Sequence, residues 1–291
     1  MRKTADRLAM RVLFGQKSLQ QLEKAGEQGE PVPEAVIDMV RAKLAYLNEK
    51  SDEEHERDKL VEKIEVLERI LLEEEYAQML KTLEHYEIAA TGVPTKKQIK
   101  EALRAREMEV LKKATKLKKP RLLLVPPMTR QQCVQKMQEH RVKGQEGGVY
   151  TVDGFNDDNL YNGGRPEQDL EWKVMIVEGT ENVPQDENIY DGQRNSCQMV
   201  KMWVEKLQNQ GLDAINDART YALLMMKSLV EGKPIDTKTQ IVLNAMNLTE
   251  EQYVIFGYFN SYLHAVGFRW SDSFLLNRVL RCRGSVGVNV P

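Results

Sequence analysis

Residues 266–272, Val-Gly-Phe-Arg-Trp-Ser-Asp, and residues 281–290, Arg-Cys-Arg-Gly-Ser-Val-Gly-Val-Asn-Val, alternate apolar with polar or small side chains. Alternation of period two puts each set on one face of an extended strand. Just upstream, Tyr253 to Phe259 is rich in β-branched and aromatic residues, which suit a pleated, half-buried surface. The last forty residues therefore predict antiparallel sheet. Working toward the N-terminus, Asn195 to Gln208 sets Met199, Trp203 and Leu207 on one side with Val200 and Val204 beside them. Asp217 to Val230 turns Tyr221, Leu224, Met225 and Leu229 inward before Gly232 and Pro234 close it, so both segments predict helices. Asp236 is expected to cap a further turn or helix through Asn244, and Thr249 with Gln252 offers another cap. Farther upstream, Leu122 to Val125 is an apolar run stopped by Pro126 and Pro127, and Thr129 with Gln132 caps a helix through His140. Val149 to Val152 and Trp172 to Val177 read as strands around a polar loop rich in Asp, Asn and Gly.

Composition shifts near residue 120. The first 120 residues hold 24 Lys and Arg and 23 Asp and Glu, against 18 and 21 in the remaining 171, while all three Trp and 14 of the 18 Gly lie after that point. The expected class is α+β, with a charged helical region at 1–119 and a mixed α/β domain with antiparallel sheet at 120–291. Within the front region, residues 3–25 and Glu34 to Asn48 have helical spacing, and Ser51 with Glu54 forms a capping box from which a long helix should start. Leu60, Ile64, Leu67 and Leu71 repeat at four, three and four. The stripe then continues through Leu72, Tyr76, Met79 or Leu80, and Leu83, shifted by one position. That slip disfavours a long regular coiled coil. A short antiparallel hairpin is expected, with self-association through these helices as the alternative.

Thr95 and Gln98 cap a helix reaching about Lys116, and the stretch 95–121 is basic, carrying Lys96, Lys97, Lys100, Arg104, Arg106, Lys112, Lys113, Lys116, Lys118, Lys119 and Arg121. Such a helix can grip phosphates, which makes a helical adaptor or nucleic-acid-binding protein the alternative functional reading. Glu101, Glu107 and Glu109 interleave with the cations and no aromatic platform for bases accompanies them, so nucleic acid is disfavoured as a partner. The chain as a whole carries a formal charge of −2, which excludes a polyanion binder working through its overall field.

No GxGxxG, Walker loop, HExxH, GxSxG or paired His/Cys ligand set occurs, and the four histidines are scattered. Neither an enzyme, a cofactor nor a metal is expected. Asp153, Asp157 and Asp158 lack the order of an EF-hand loop. Cys133, Cys197 and Cys282 are far apart and odd in number, which predicts buried thiols. The first twenty residues hold no uninterrupted apolar core and no uncharged run is long enough to span a bilayer, so no membrane span and a cytoplasmic location are expected.

The two stretches quoted at the outset, together with Tyr221-Ala-Leu-Leu-Met-Met-Lys-Ser-Leu229 and Pro234-Ile-Asp236, resemble the C-type-lectin-fold variable proteins of diversity-generating retroelements over about residues 120–291. The resemblance implies a C-type-lectin-like domain whose closing sheet presents hypervariable side chains to a ligand above a fixed scaffold. The EPN and WND calcium motifs and the cysteine pairs of sugar-binding C-type lectins are missing, which argues against calcium-dependent sugar binding. Independently of the resemblance, Tyr258, Asn260, Tyr262, His264, Arg269, Ser271, Ser273, Phe274, Asn277 and Arg278 crowd one short region and are of the types that make binding surfaces. The expected partner is a protein or a cell-surface ligand. Tyr258, Tyr262, Ser273 and Asn277 are expected to be exposed and tolerant, whereas Phe268, Trp270, Val288, Arg281 and Arg283 are expected to belong to the scaffold.

Overall fold

The front helices run on where a break was expected. The computed structural model describes residues 34–88, 92–151, 170–190, 194–243, 254–271 and 279–288. Helix α1 spans Glu34–Arg69 without interruption, so Ser51 lies inside a helix and the expected hairpin between 34–48 and a helix starting at Ser51 does not form. No Gly or Pro stands between Asn48 and Ser51, and nothing there forces the helical hydrogen-bond ladder to stop. The one-position slip in the apolar stripe has a different outcome: a π-helical turn at Ile70–Glu75 between α1 and helix α2, Tyr76–His85. A π turn accommodates one extra residue, so Leu71 and Leu72 are both buried and the stripe resumes in register at Met79 and Leu83.

Helix α3 follows at Lys96–Ala114, capped by Thr95 and Gln98, each side chain bonding the other's backbone N–H. The same reciprocal cap opens helix α4, Arg130–Glu139, from Thr129 and Gln132, and helix α5, Ser196–Gln208, from Asn195 and Gln198. Asp217 starts helix α6, Ala218–Val230, accepting from the Arg219 N–H. Residues Ala218 to Leu229 are all buried, as befits a helix enclosed by α2, α4 and a strand. In place of the turn or helix expected from Asp236 through Asn244, a short bend leads into strand β5, and the cap expected at Thr249 lies outside the described residues, as do the loop 152–169 and residues 1–33.

Among the described residues, nine strands form two sheets: β1 Pro120–Val125, β2 Gly148–Thr151, β3 Lys173–Glu178, β4 Asp213–Ala214, β5 Gln240–Val242, β6 Val254–Asn260, β7 Ala265–Ser271, β8 Leu280–Arg281 and β9 Gly284–Val288. The first sheet has the order β1-β3-β9-β4 and is antiparallel throughout. The second has the order β2-β7-β6-β5-β8, antiparallel in its middle three strands, with β2 parallel to β7 and β8 parallel to β5. The α+β class holds. The last alternating stretch does not join β6 and β7, however. Strand β9 lies in the other sheet, pairing Val286 with Ile176 and Val288 with Val174.

Two buried ionic clusters bind these layers. Arg283, 0% exposed, donates to Asp236 at 2.6 and 3.0 Å and to the carbonyls of Glu178 at 3.0 Å and Thr180 at 2.8 Å. Tyr221 and Thr239 hydroxyls also donate to Asp236, at 3.2 and 2.8 Å. In the second cluster, Lys227, also 0% exposed, donates to the Glu75 carboxylate at 2.6 Å, the Glu75 carbonyl at 3.2 Å and the Leu122 carbonyl at 2.9 Å. Arg121 bridges Glu75 and Glu231. Glu75 closes the π turn, so this cluster fastens the front helices to β1 and α6. The boundary expected at residue 119 is thereby displaced. Residues 63–291 form one compact unit, and the described part of the other, residues 1–62, is the portion of α1 up to Glu62.

Burial pushes the Lys227 ammonium down from 10.5 to about 8, against the pull of Glu75. Above pH 8 the folded chain releases a proton that the unfolded chain still holds, so this group adds stability as pH rises toward 10.5. Urea unfolding from about pH 8 to about pH 10 is expected to show the wild type gaining on Lys227→Met; a loss relative to that variant would contradict the assignment.

Candidate functional site

Strands β6 and β7 present two unlike faces. Ile255, Gly257 and Phe259 of β6 and Val266 and Phe268 of β7 are buried against the core. A Cβ at Gly257 would come within 2.3 Å of the Tyr221 ring, so glycine is what lets α6 pack here. Tyr221 in turn meets Phe268 edge-on, the centroids 6.1 Å apart. The opposite face carries Phe256, Tyr258, Gly267 and Arg269. Tyr150 of β2 pairs with Gly267 and lies across it, a Cβ there falling 2.6 Å from its ring. Bare glycine thus lets the Tyr150 hydroxyl reach and donate to that of Tyr258. The Arg269 guanidinium stacks over the Tyr150 ring at 5.0 Å, and the Phe256 ring lies 6.0 Å from that of Tyr258.

The β6–β7 turn is held from within. Asn260 Oδ1 accepts the backbone N–H groups of Tyr262 and Leu263, each at 3.0 Å, and His264 adopts φ +47°. The Gly147 N–H donates to the His264 carbonyl at 3.0 Å, anchoring the turn to the loop before β2. On this support Tyr262 is 89% exposed and Leu263 50%. His264 and Glu146, 3.9 Å apart and both more than half exposed, form a surface pair of little energetic weight.

Of the ten residues singled out in the sequence, the structure brings Tyr258, Asn260, Tyr262, His264 and Arg269 together around this hairpin. Tyr262, His264 and Arg269 are exposed. Tyr258, expected exposed, is half-buried between Phe256 and Tyr150, and burial raises its hydroxyl above the ordinary value. Asn260 spends its side-chain oxygen on the turn and acts as a positioning residue. Ser271 pairs with Val254 at the end of β7, and its side chain, like that of Trp270, is outside the description. Ser273, Phe274, Asn277 and Arg278 lie outside the described residues. Sequence reasoning missed Tyr150 and Leu263; the only signal for Tyr150 was its place in a four-residue strand whose parallel pairing is set by tertiary structure.

Elsewhere several polar side chains are committed to the fold. A cleft of about 670 Å³ is lined by Glu75, Arg121, Glu231, Lys233 and Pro234 among others, and Arg121 bridges two of its carboxylates. On α3, Arg104 and Lys100 both meet Glu68, Lys113 meets Glu109 at 2.7 Å, and Lys96 sits over the Tyr76 ring. The three cysteines are buried, none in a disulfide, and burial pushes the Cys282 thiol up to about 12. No described helix is long and apolar enough to cross a membrane. Comparison of the chain with protein-family models, curated proteins and solved structures finds no match.

Asn260→Ala is expected to cost about 1 kcal/mol, as loss of a helix cap does, and Tyr262→Ala under about 0.5 kcal/mol. Chemical denaturation measures both, and equal costs would contradict the division between support and display.

Proposed function

We propose that the chain is a ligand-binding display protein of C-type-lectin-like architecture. A fixed two-sheet scaffold offers the surface around Tyr258, Tyr262, His264 and Arg269 to a protein or cell-surface ligand. The observation that carries this reading is the contrast across β6 and β7: a core face closed by Tyr221, Gly257 and Phe268, and an outer face ending in a braced turn with an almost fully exposed tyrosine. Exposed aromatic residues on a preformed backbone lose little entropy on binding, which favours recognition. The α+β architecture, with first strand β1 and last strand β9 sharing a sheet, accords with the lectin-like reading. Arg281 and Arg283, both buried, act as scaffold in it. The alternative, a nucleic-acid-binding adaptor using 95–121, is less well supported, because Lys100, Arg104 and Lys113 already have carboxylate partners.

The genomic neighbourhood tests the display reading. A near-copy of the DNA encoding residues 254–280 is expected close to the gene, differing almost only where the copy has adenine, beside a reverse-transcriptase gene. Absence of both would remove hypervariability from the account and leave a binding domain with a fixed surface.

A further inference from the structure

Arg269 is exposed and differs from the arginines that build the fold. Arg104, Arg121, Arg219 and Arg283 each lie within ion-pair distance of a carboxylate, whereas no carboxylate among the described residues pairs with Arg269. Its guanidinium is nonetheless positioned, lying over the Tyr150 ring with its carbon 5.0 Å from the centroid, and the side chain is exposed. Beside it, the hydroxyls of Tyr150 and Tyr258 share one hydrogen bond. Two hydroxyls bring two protons and that bond uses one, so the pair keeps an O–H donor free. Register places the donors together: Tyr258 lies opposite Gly267, and Arg269 is two residues farther along β7 on the same face.

We infer that Arg269 and the Tyr150–Tyr258 hydroxyl pair form a binding site for a carboxylate, supplied by an acidic side chain of a protein ligand that also covers Tyr262 and Leu263. This rests on the display reading above and names the chemistry it recognises. A forked guanidinium edge and one O–H donor match the two oxygens of a planar carboxylate. Burial raises the Tyr258 hydroxyl above its ordinary value, which keeps it protonated as a donor near neutral pH. Arg141 and Lys143 stand in the loop that Gly147 ties to the turn, beside the Glu146 carboxylate, which accepts the Gly144 N–H at 3.0 Å and faces His264 at 3.9 Å. Tyr262, 89% exposed, and Leu263, 50% exposed, add apolar contact, so the favoured segment has an aspartate or glutamate a few residues from an aromatic or aliphatic side chain.

Panning a phage library of random twelve-residue peptides on the full chain tests this. Selected peptides are expected to carry that pattern. Binding of a synthesised peptide should weaken about tenfold or more on Arg269→Gln. It should be partly restored by Arg269→Lys, which returns the charge without the fork. Changing the peptide's acid to its amide should add no further loss on Arg269→Gln, since the two changes remove one interaction. Peptides that ignore Arg269→Gln but are lost on Tyr262→Ala would overturn the carboxylate site and leave the display reading standing. Peptides insensitive to both, or no peptide at all, would count against both. Displacement of the peptide by inorganic phosphate, with acetate at equal concentration ineffective, would reassign the site to phosphate and refute the inference.

Discussion

The rest of the structure depends on a single buried ion pair. Arg283 stands just before β9 in the first sheet, and Asp236 sits ahead of the second sheet in a left-handed conformation with φ +53°. Their contact at 2.6 Å joins the sheets, and each partner is satisfied on its remaining edges: Arg283 by carbonyls at the end of β3, Asp236 by Tyr221 of α6 and by Thr239. The Asp236 backbone extends the link, its N–H donating to Glu181 and its carbonyl accepting from Phe259 of β6. Removing one partner of such a pair strands a charge in the interior and typically costs about 3–5 kcal/mol. Tyr221 carries the effect onward, since the side chain that bonds Asp236 is the one lying beneath Gly257 and against Phe268. The outer face of β6 and β7 is thus supported by the same residues that hold the sheets together.

A second constraint ties in the front helices. Glu75 ends the π turn, and Lys227 donates to both its carbonyl and its carboxylate. One residue of excess in the heptad-like stripe therefore becomes the point at which helix and sheet interlock. With Leu103 and Leu111 of α3 fully buried, residues 63–114 are part of the core rather than a separable arm.

Local chemistry was legible in the sequence. The reciprocal caps at Thr95 and Thr129, the Asp217 start of α6 and the strand character of 254–260 and 265–271 each depend on neighbours a few residues apart. The slip after Leu71 was visible too, though not that it would be absorbed by a π turn. What escaped was set by distant partners. Alternation at 284–288 announces a strand but cannot say which sheet it joins, and that choice follows from Arg283 reaching Asp236. Asp236 resembles a helix cap by type, yet its carboxylate is spent on Arg283. At the site, Tyr262 and Arg269 were recognisable as surface residue types. The role of Tyr150 depends on a parallel edge pairing that brings residues 148–151 beside 265–268, and the role of Asn260 on two backbone groups inside its own turn.

The account holds that a rigid interior carries a permissive surface. Saturation mutagenesis read by protease resistance of the folded chain tests this most directly. At Tyr221, Asp236, Gly257, Phe268 and Arg283 nearly every substitution is expected to expose the chain to cleavage, whereas Tyr262, His264 and Arg269 should accept most residues without loss. If the second group proved as intolerant as the first, the hairpin would be part of the scaffold and the central claim would fail.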